Sequence, residues 1–233
     1  MKREMTLGVI GAMESEVETL IAALEEDRAE KIGMTTYHVG KLDGRAVVIA
    51  RSGVGKVNAA LTAAEMIRRF GVSAIVNTGV AGALDPTLEP CDAVIAVDLV
   101  QHDMDTTPLG DPPGFVSGLG IVRFQADPAL SGSAKRAADS LGIRVILGTV
   151  ASGDQFIADP EQKKRIVNAF GAAACEMEGA AVAHACTLYG VPFVVIRSIS
   201  DKADGSSTLD FPTFAAKAAA SNAAIVRRMI QER

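Results

Sequence analysis

Val191-Pro-Phe-Val-Val-Ile-Arg-Ser-Ile-Ser-Asp201 decides how this chain is read. Val191 to Ile196 is an almost unbroken apolar, β-branched run, with Gly190 and Pro192 marking its start. A short run of this kind reads as a strand buried on both faces, as at the centre of an α/β sheet. The strand is expected to end in apolar residues and a turn, yet Arg197, Ser198, Ser200 and Asp201 follow. Charge this close to a sheet centre is costly unless it is paired or used. Open α/β sheets bind ligands at the carboxyl ends of their strands. Arg197 to Asp201 is therefore the first candidate for chemistry, and its partners must come from elsewhere in the chain.

Working outward, strands and helices alternate. Leu7 to Met13 reads as a strand and Glu14 to Leu24 as a helix with Val17, Leu20, Ile21 and Leu24 on one face. Thr35 to Val39 and Ala46 to Ala50 read as strands joined by the hairpin signal Leu42-Asp43-Gly44-Arg45. Val57 to Phe70 is expected to be a helix stopped by Gly71. Ser73 to Asn77 is a strand leading into the small-residue turn Thr78 to Gly82, and Asp92 to Val97 is another strand. Residues 101–120 hold three Pro and four Gly and read as a long functional loop. Pro128 to Leu141 is a helix, Arg144 to Val150 a strand and Glu161 to Phe170 a helix. Ala173 to Glu176 is a short strand entering a helix from Glu178 to Tyr189, and Asp210 caps a last helix. No linker, repeat or charge block interrupts the series. The expected fold is a single-domain three-layer α/β/α sandwich over residues 1–233, with a central mixed, twisted sheet.

Composition excludes several functions. The chain has 233 residues, 48% apolar and 22% charged, as in a soluble globular protein. A formal net charge of -5 argues against a nucleic-acid footprint. No apolar run approaches the length of a membrane span, and the short apolar N-terminal segment meets Glu14, Glu16 and Glu18 at once, unlike a signal peptide. Cys91, Cys175 and Cys186 are odd in number and lack ligand spacing, as in a reducing cytoplasm. His38, His102 and His184 show no ligand spacing either, so no metal is expected.

Four segments carry polar groups that these elements do not explain. Ser52-Gly-Val-Gly-Lys-Val57 sits between a strand and a helix. It is not a phosphate-binding P-loop, because Ala50 and Val57 stand at positions needing Gly and Ser or Thr. Its plain reading is a tight capping turn. Its functional reading is a backbone wall of a pocket. Thr78-Gly79-Val80-Ala81-Gly82 has the same two readings, since small residues let a flat ligand approach the backbone. Glu16 at the start of the first helix is by default a helix-dipole partner, and alternatively a general base turned toward the strand ends. In Cys175-Glu176-Met177-Glu178-Gly179, apolar flanks enclose at least one Glu, and a carboxylate suits a vicinal diol such as a ribose. His184 reads as core or surface rather than catalytic.

These segments together resemble the 5′-methylthioadenosine/S-adenosylhomocysteine nucleosidases of the purine nucleoside phosphorylase superfamily. The likeness rests on Gly11 to Val17, Ser52 to Asn58, Asn77 to Gly82, Ser152 to Ile157, Glu176 to Glu178 and Arg197 to Asp201, in that order over the whole chain. It implies hydrolysis of the adenine–ribosyl bond by water, without cofactor or metal, in methionine salvage. Carried over, Asp201 is the acid that protonates adenine, which requires a raised pKa, and Ser200 positions its carboxyl. Glu16 is the base that activates water. Glu178 grips the ribose hydroxyls, with Met177 packed on the sugar and Arg197 organising Glu178. Phe156 stacks on adenine and the backbone of Ile157 reads its edge. Met13, Val80, Ala81, Gly82 and Phe211 join the substrate contacts. The likeness also implies a homodimer whose 101–120 loop reaches the neighbouring pocket, with Leu109 as a lid residue.

Two departures stand out. Val80 replaces the Ser of many relatives, which argues against a phosphate site, and Leu109 stands near where a relative places an aromatic. The competing readings are an aminodeoxyfutalosine hydrolase, a phosphorolytic nucleoside phosphorylase of the same fold, and a nucleoside-binding module without catalysis.

Overall fold

A computed structural model describes residues 6–205 and 211–232, with the side chains of residues 211–213 left aside. Its strands are β1 (Leu7–Gly11), β2 (Glu25–Ile32), β3 (Thr35–Leu42), β4 (Arg45–Arg51), β5 (Ala74–Ala83), β6 (Ala93–Gln101), β7 (Arg123–Gln125), β8 (Val145–Ser152), β9 (Ala174–Glu176) and β10 (Phe193–Asp201). Its helices are α1 (Glu14–Ala22), α2 (Lys56–Phe70), α3 (Pro128–Ser140), α4 (Pro160–Phe170), α5 (Gly179–Tyr189) and α6 (Phe211–Gln231). The ten strands form one mixed sheet.

Alternation along the central strands builds the three layers, because successive side chains point to opposite faces. Val9, Val47, Ile49, Val76, Val194 and Ile196 share one core with Val17 and Leu20 of α1, Ala134 of α3 and Val226 of α6. Ile10, Val48, Ala50, Ile75 and Val195 share the other with Ala63 and Met66 of α2 and Val182 and Cys186 of α5. A strand flanked by helices on both sides needs apolar residues at every position, which is why β10 begins as an unbroken apolar run. Glycine stops α2 as expected: Gly71 takes the left-handed conformation, φ 65°. Asp43 and Gly44, both at positive φ, make the β3–β4 hairpin turn.

Part of the sheet closes on itself. β10 pairs with β5 in parallel and with β6 antiparallel. β6 pairs with β8, β8 with β9, and β9 with β5. These five strands form a ring, while β1, β4, β3 and β2 extend from β5 as an open wing.

Several expectations need correction. Thr78 to Gly82 is not a turn but the second half of β5, while Arg197 to Asp201 continues the apolar run to the end of β10. The two segments pair with each other, Arg197 opposite Gly79 and Asp201 opposite Gly82, so the ladder satisfies the backbone where Gly and polar residues had suggested a break. Glu25–Ile32 was not recognised as a strand: it is a charged edge strand whose ladder runs to β3, with Glu30 also paired to Arg69 of α2. Charge on an edge strand discourages pairing with another chain, and it also erases the apolar alternation that marks a strand. β7 is three residues long and was missed for its brevity. The expected cap Asp210 lies outside the described residues.

Candidate active site

The strand ends bring the flagged segments to one cleft, with a volume of about 740 Å³ counting the solvent at its mouth. Met13 and Glu16 enter it from the β1–α1 junction, and Val80, Ala81 and Gly82 from the end of β5. Phe156 and Ile157 come from the loop after β8, Met177 and Glu178 from the β9–α5 junction, and Ser200 and Asp201 from the end of β10. Phe156 is half exposed, a flat apolar face at the mouth. Ala12, Val54, Gln155, Cys175 and Glu176 also line the cleft without having been singled out as site residues. Val54 and Gln155 lie inside two motifs already flagged, which was the available signal for them.

Glu16 is fixed entirely by backbone. Its Oε2 accepts the amides of Ala12 at 2.7 Å and Met13 at 2.9 Å, and its Oε1 accepts the amide of Val80 at 3.0 Å. The carboxylate closes the first turn of its own helix and reaches across to β5, so the helix-dipole role and the inward position coexist. It is 3% exposed.

Arg197 does not line the cleft. It lies behind it, 1% exposed, and pairs with Glu176 rather than chiefly with Glu178. Its Nη2 also donates to Asn77 Oδ1 at 2.6 Å, while Glu178 Oε2 stands 3.8 Å away. Burial disfavours the guanidinium charge, but Glu176, Glu178 and Glu16 outweigh it and raise the pKa. Gly79 makes room for this packing, because a Cβ there would overlap Arg197 Nη1. Asn77 was missed: an Asn inside an apolar run reads as the end of a strand. Its amide group donates to Ile10 O at 2.9 Å, which turns its oxygen to the guanidinium.

Glu176 and Glu178 divide two tasks that sequence could not assign. Glu176 caps α5, accepting the amides of Glu178 at 3.1 Å and Gly179 at 2.8 Å, and it accepts the Ser152 hydroxyl. Glu178 accepts one amide, from Gly55 at 2.9 Å. Burial, with repulsion from Glu176 next, pushes Glu178 up to about 7 against the pull of Arg197 and Gly55.

At the other end, Asp201 Oδ2 accepts from Ser200 Oγ at 2.8 Å and Oδ1 accepts the Ala203 amide at 2.8 Å. Ala203 holds a positive φ of 52° to do so. Cys175 packs nearby and stays a thiol, since burial, and then the Asp201 charge, raise its pKa to about 12.

Leu109, like Arg197, is a predicted contact outside this cleft: it ends the short 3₁₀ turn Thr107–Leu109 and is 82% exposed. The side chain of Phe211 lies outside the described residues. His184 stacks on Phe124 and faces Gln101, a packing role rather than a catalytic one.

The arrangement is a cleft with a backbone-held carboxylate and a second carboxyl of raised pKa at one end and a third carboxyl at the other. That is the equipment for splitting a glycosidic bond with an acid on one side and a held water on the other.

Known proteins resemble this chain over its whole length. The family model described as the phosphorylase superfamily matches residues 6–231. A 5′-methylthioadenosine/S-adenosylhomocysteine nucleosidase of Shewanella loihica is 39% identical, over 97% of this chain and 99% of its own. An aminodeoxyfutalosine nucleosidase of Campylobacter jejuni is also 39% identical, over 98% and 99%. The crystal structure of a 5′-methylthioadenosine/S-adenosylhomocysteine nucleosidase from Neisseria meningitidis with methylthio-immucillin-A superposes with TM-score 0.95 at 39% identity, covering 98% of this chain and 99% of that one.

Proposed function

From the premise that this chain belongs to the phosphorylase superfamily, as a member of its 5′-methylthioadenosine/S-adenosylhomocysteine nucleosidases, we propose how it cleaves its substrate. The protein is an N-ribosyl nucleoside hydrolase. It releases adenine and a 5′-thio-substituted ribose from methylthioadenosine and adenosylhomocysteine. The observation that carries this reading is the pairing of Glu16 and Asp201 in one cleft, each held by two or more donors.

In the proposed mechanism Phe156 stacks on adenine and the backbone of Ile157 reads its edge. Asp201, oriented by Ser200, protonates the purine so that it leaves as a neutral base. Glu178 grips the ribose hydroxyls and Met177 packs on the sugar, beside Met13 and the Val80 to Gly82 segment. Glu16 accepts a proton from the attacking water as the oxocarbenium-like sugar forms. Acid and base are each worth about 10²–10⁴-fold. Arg197 offsets the charge of Glu16, Glu176 and Glu178, so the three carboxyls can share one apolar enclosure.

Water rather than phosphate is the proposed nucleophile, because no Lys or Arg is among the residues lining the cleft and Glu16 would repel an anion. An aminodeoxyfutalosine-type nucleoside is the second substrate reading, favoured by the Campylobacter relative's equal identity. An adenine-release assay over 5′-substituted adenosines, with and without phosphate, tests both. Release that required phosphate would overturn hydrolysis, and release from the futalosine-type nucleoside alone would reverse the substrate order.

The protein is further proposed to be a cytoplasmic homodimer. Val57 and Leu61 are 69% and 63% exposed, one turn apart on α2 and adjoining Val54 of the cleft. An apolar stripe of this kind suits a second copy, with Leu109 of the 101–120 loop reaching toward its cleft. The three cysteines are free, as a reducing compartment keeps them. Among the described residues no helix is long and apolar enough to cross a membrane. A monomeric mass by light scattering at assay concentration would refute the dimer.

A further inference from the structure

Three loops meet beside the cleft in a ring of three polar contacts. Lys56 opens α2, and its ammonium donates to Asp103 Oδ1 at 2.6 Å. The other carboxylate oxygen, Asp103 Oδ2, accepts the amide of Asp154 at 2.9 Å. Asp154 Oδ1 in turn accepts the amide of Lys56 at 2.7 Å, which closes the ring through the Asp154 residue. Gln101 Oε1 adds a further acceptor for the ammonium at 3.2 Å. The loops joined are those after β4, β6 and β8.

Most Lys–Asp pairs on a surface contribute little, because water screens them and long side chains lose freedom. This pair differs. Both side chains are only 18% exposed, and the carboxylate is also held by a backbone amide. Burial tends to raise the pKa of Asp103, but Lys56 and the Asp154 amide outweigh it, and the net direction is down. The pair is therefore charged at neutral pH and geometrically fixed.

The ring's chain neighbours are parts of the cleft. Gly55, directly before Lys56, donates the only backbone amide that Glu178 receives among the described residues. Gly55 takes φ 101°, and a Cβ there would stand 3.1 Å from Asp154 Oδ1, so backbone and ring are fitted to each other. Phe156 and Ile157 follow two and three positions after Asp154. Neither Lys56 nor Asp103 lines the cleft.

We propose that Lys56 and Asp103 are positioning residues for the cleavage reaction, a clasp that holds the Gly55 amide on Glu178 and the Phe156–Ile157 segment over the base. The proposal rests on the hydrolase reading given above. The clasp acts on Glu178 alongside the charges that already face it, Glu176 from β9, Arg197 from β10 and Glu16 from α1. Opening the clasp frees the Gly55 amide, which is one of the two groups pulling Glu178 down.

The test is Lys56→Met, with Asp103→Asn as the second variant and Lys56→Arg as the conservative one, assayed by adenine release from methylthioadenosine across pH 5–9. In wild type the expected activity rises with pH on a limb set by Glu178, whose pKa burial raises to about 7. In both disrupted variants that limb moves up by about 0.4–1 pH unit, the worth of one ordinary hydrogen bond. kcat/KM falls about tenfold, and the combined variant is no worse than the poorer single one, because the two residues act as a unit. Lys56→Arg returns the limb toward wild type. A limb that stays at the wild-type pH in folded Lys56→Met and Asp103→Asn overturns the clasp, as does a combined loss equal to the product of the single losses. Absence of adenine release from wild type would instead refute the hydrolase reading itself.

Discussion

Replacing Gly79 with Ala adds one methyl group at the place where the site has no room for it. Gly79 lies opposite Arg197 in the β5–β10 ladder, and its φ is outside the left-handed region, so the backbone accepts alanine. The conflict is purely steric. The new Cβ would overlap Arg197 Nη1 and stand 2.7 Å from Glu16 Oε1. Arg197 is held by Glu176 and Asn77 and is sealed from solvent, while Glu16 is tied to three amides. Both must give way, Arg197 by about 1 Å, and a misplacement of that size at a reacting group costs on the order of 10²-fold in rate. Overpacking costs about 1–3 kcal/mol, offset by about 0.4–1 kcal/mol from the stiffer unfolded chain. A net loss of about 1–2 kcal/mol lowers Tm by roughly 2–8 °C at this chain length. Adenine release and a thermal melt measure the two effects together. Gly132→Ala is the matched control: it lies within α3, and the nearest side-chain atom to a new Cβ is 3.5 Å away. It should keep full activity and gain about 0.5–1 kcal/mol. A Gly79→Ala protein with wild-type kcat would show that the Glu16–Arg197 packing has no part in turnover, and the mechanism would have to be redrawn.

Asp201→Asn keeps the shape and loses the transferable proton, so adenine release should fall about 10²–10⁴-fold with nucleoside still bound; full turnover would remove Asp201 from the acid role. Glu16→Gln should fall by a similar factor, and it also sets an NH₂ group against a backbone N–H at one of its three contacts, so a milder loss than Asp201→Asn would count against Glu16 as base. Glu178 in the folded state titrates at about 7, above its ordinary 4.5. The folded protein therefore binds the proton more tightly than the unfolded chain, and the associated stability is full below about pH 4.5 and lost as pH rises through 7. Tm of wild type should fall relative to Glu178→Gln across that window, and a constant difference would refute the assignment. Cys175, with its pKa near 12, should resist iodoacetamide at pH 7.5 although it lines the cleft, whereas partly exposed Cys91 should be labelled first; mass spectrometry of the labelled peptides decides.

The core of the fold was legible because β-branched runs and helical periodicity each reported a buried face. The carboxylates Glu16 and Glu178 and the polar end of β10 were legible for the opposite reason: they interrupt apolar segments without being loops. What stayed hidden depends on partners distant in sequence. Nothing local in Thr78 to Gly82 reveals that Arg197 to Asp201 will pair with it, so it read as a turn. Choosing between Glu176 and Glu178 required the helix start of α5 and the amide of Gly55, brought together only by packing. The strand Glu25–Ile32 carries no buried face to report. Leu109 marks a different limit, since a side chain that is 82% exposed finds little among the described residues to explain it.

The ring of β5, β10, β6, β8 and β9 has a consequence for how the site breathes. Every strand in it has a neighbour on each side, so none can peel away without breaking two ladders. Amides of β5 and β10 should exchange with deuterium only through global unfolding. Val54 and Phe156, by contrast, sit on loops between elements and are exposed by half or more. The floor of the cleft should thus be the slowest part of the molecule to exchange, while its rim is held by side-chain contacts such as the Lys56–Asp103 pair rather than by ladders. A base leaving over the rim would displace those contacts while the proposed acid and base below stay in register.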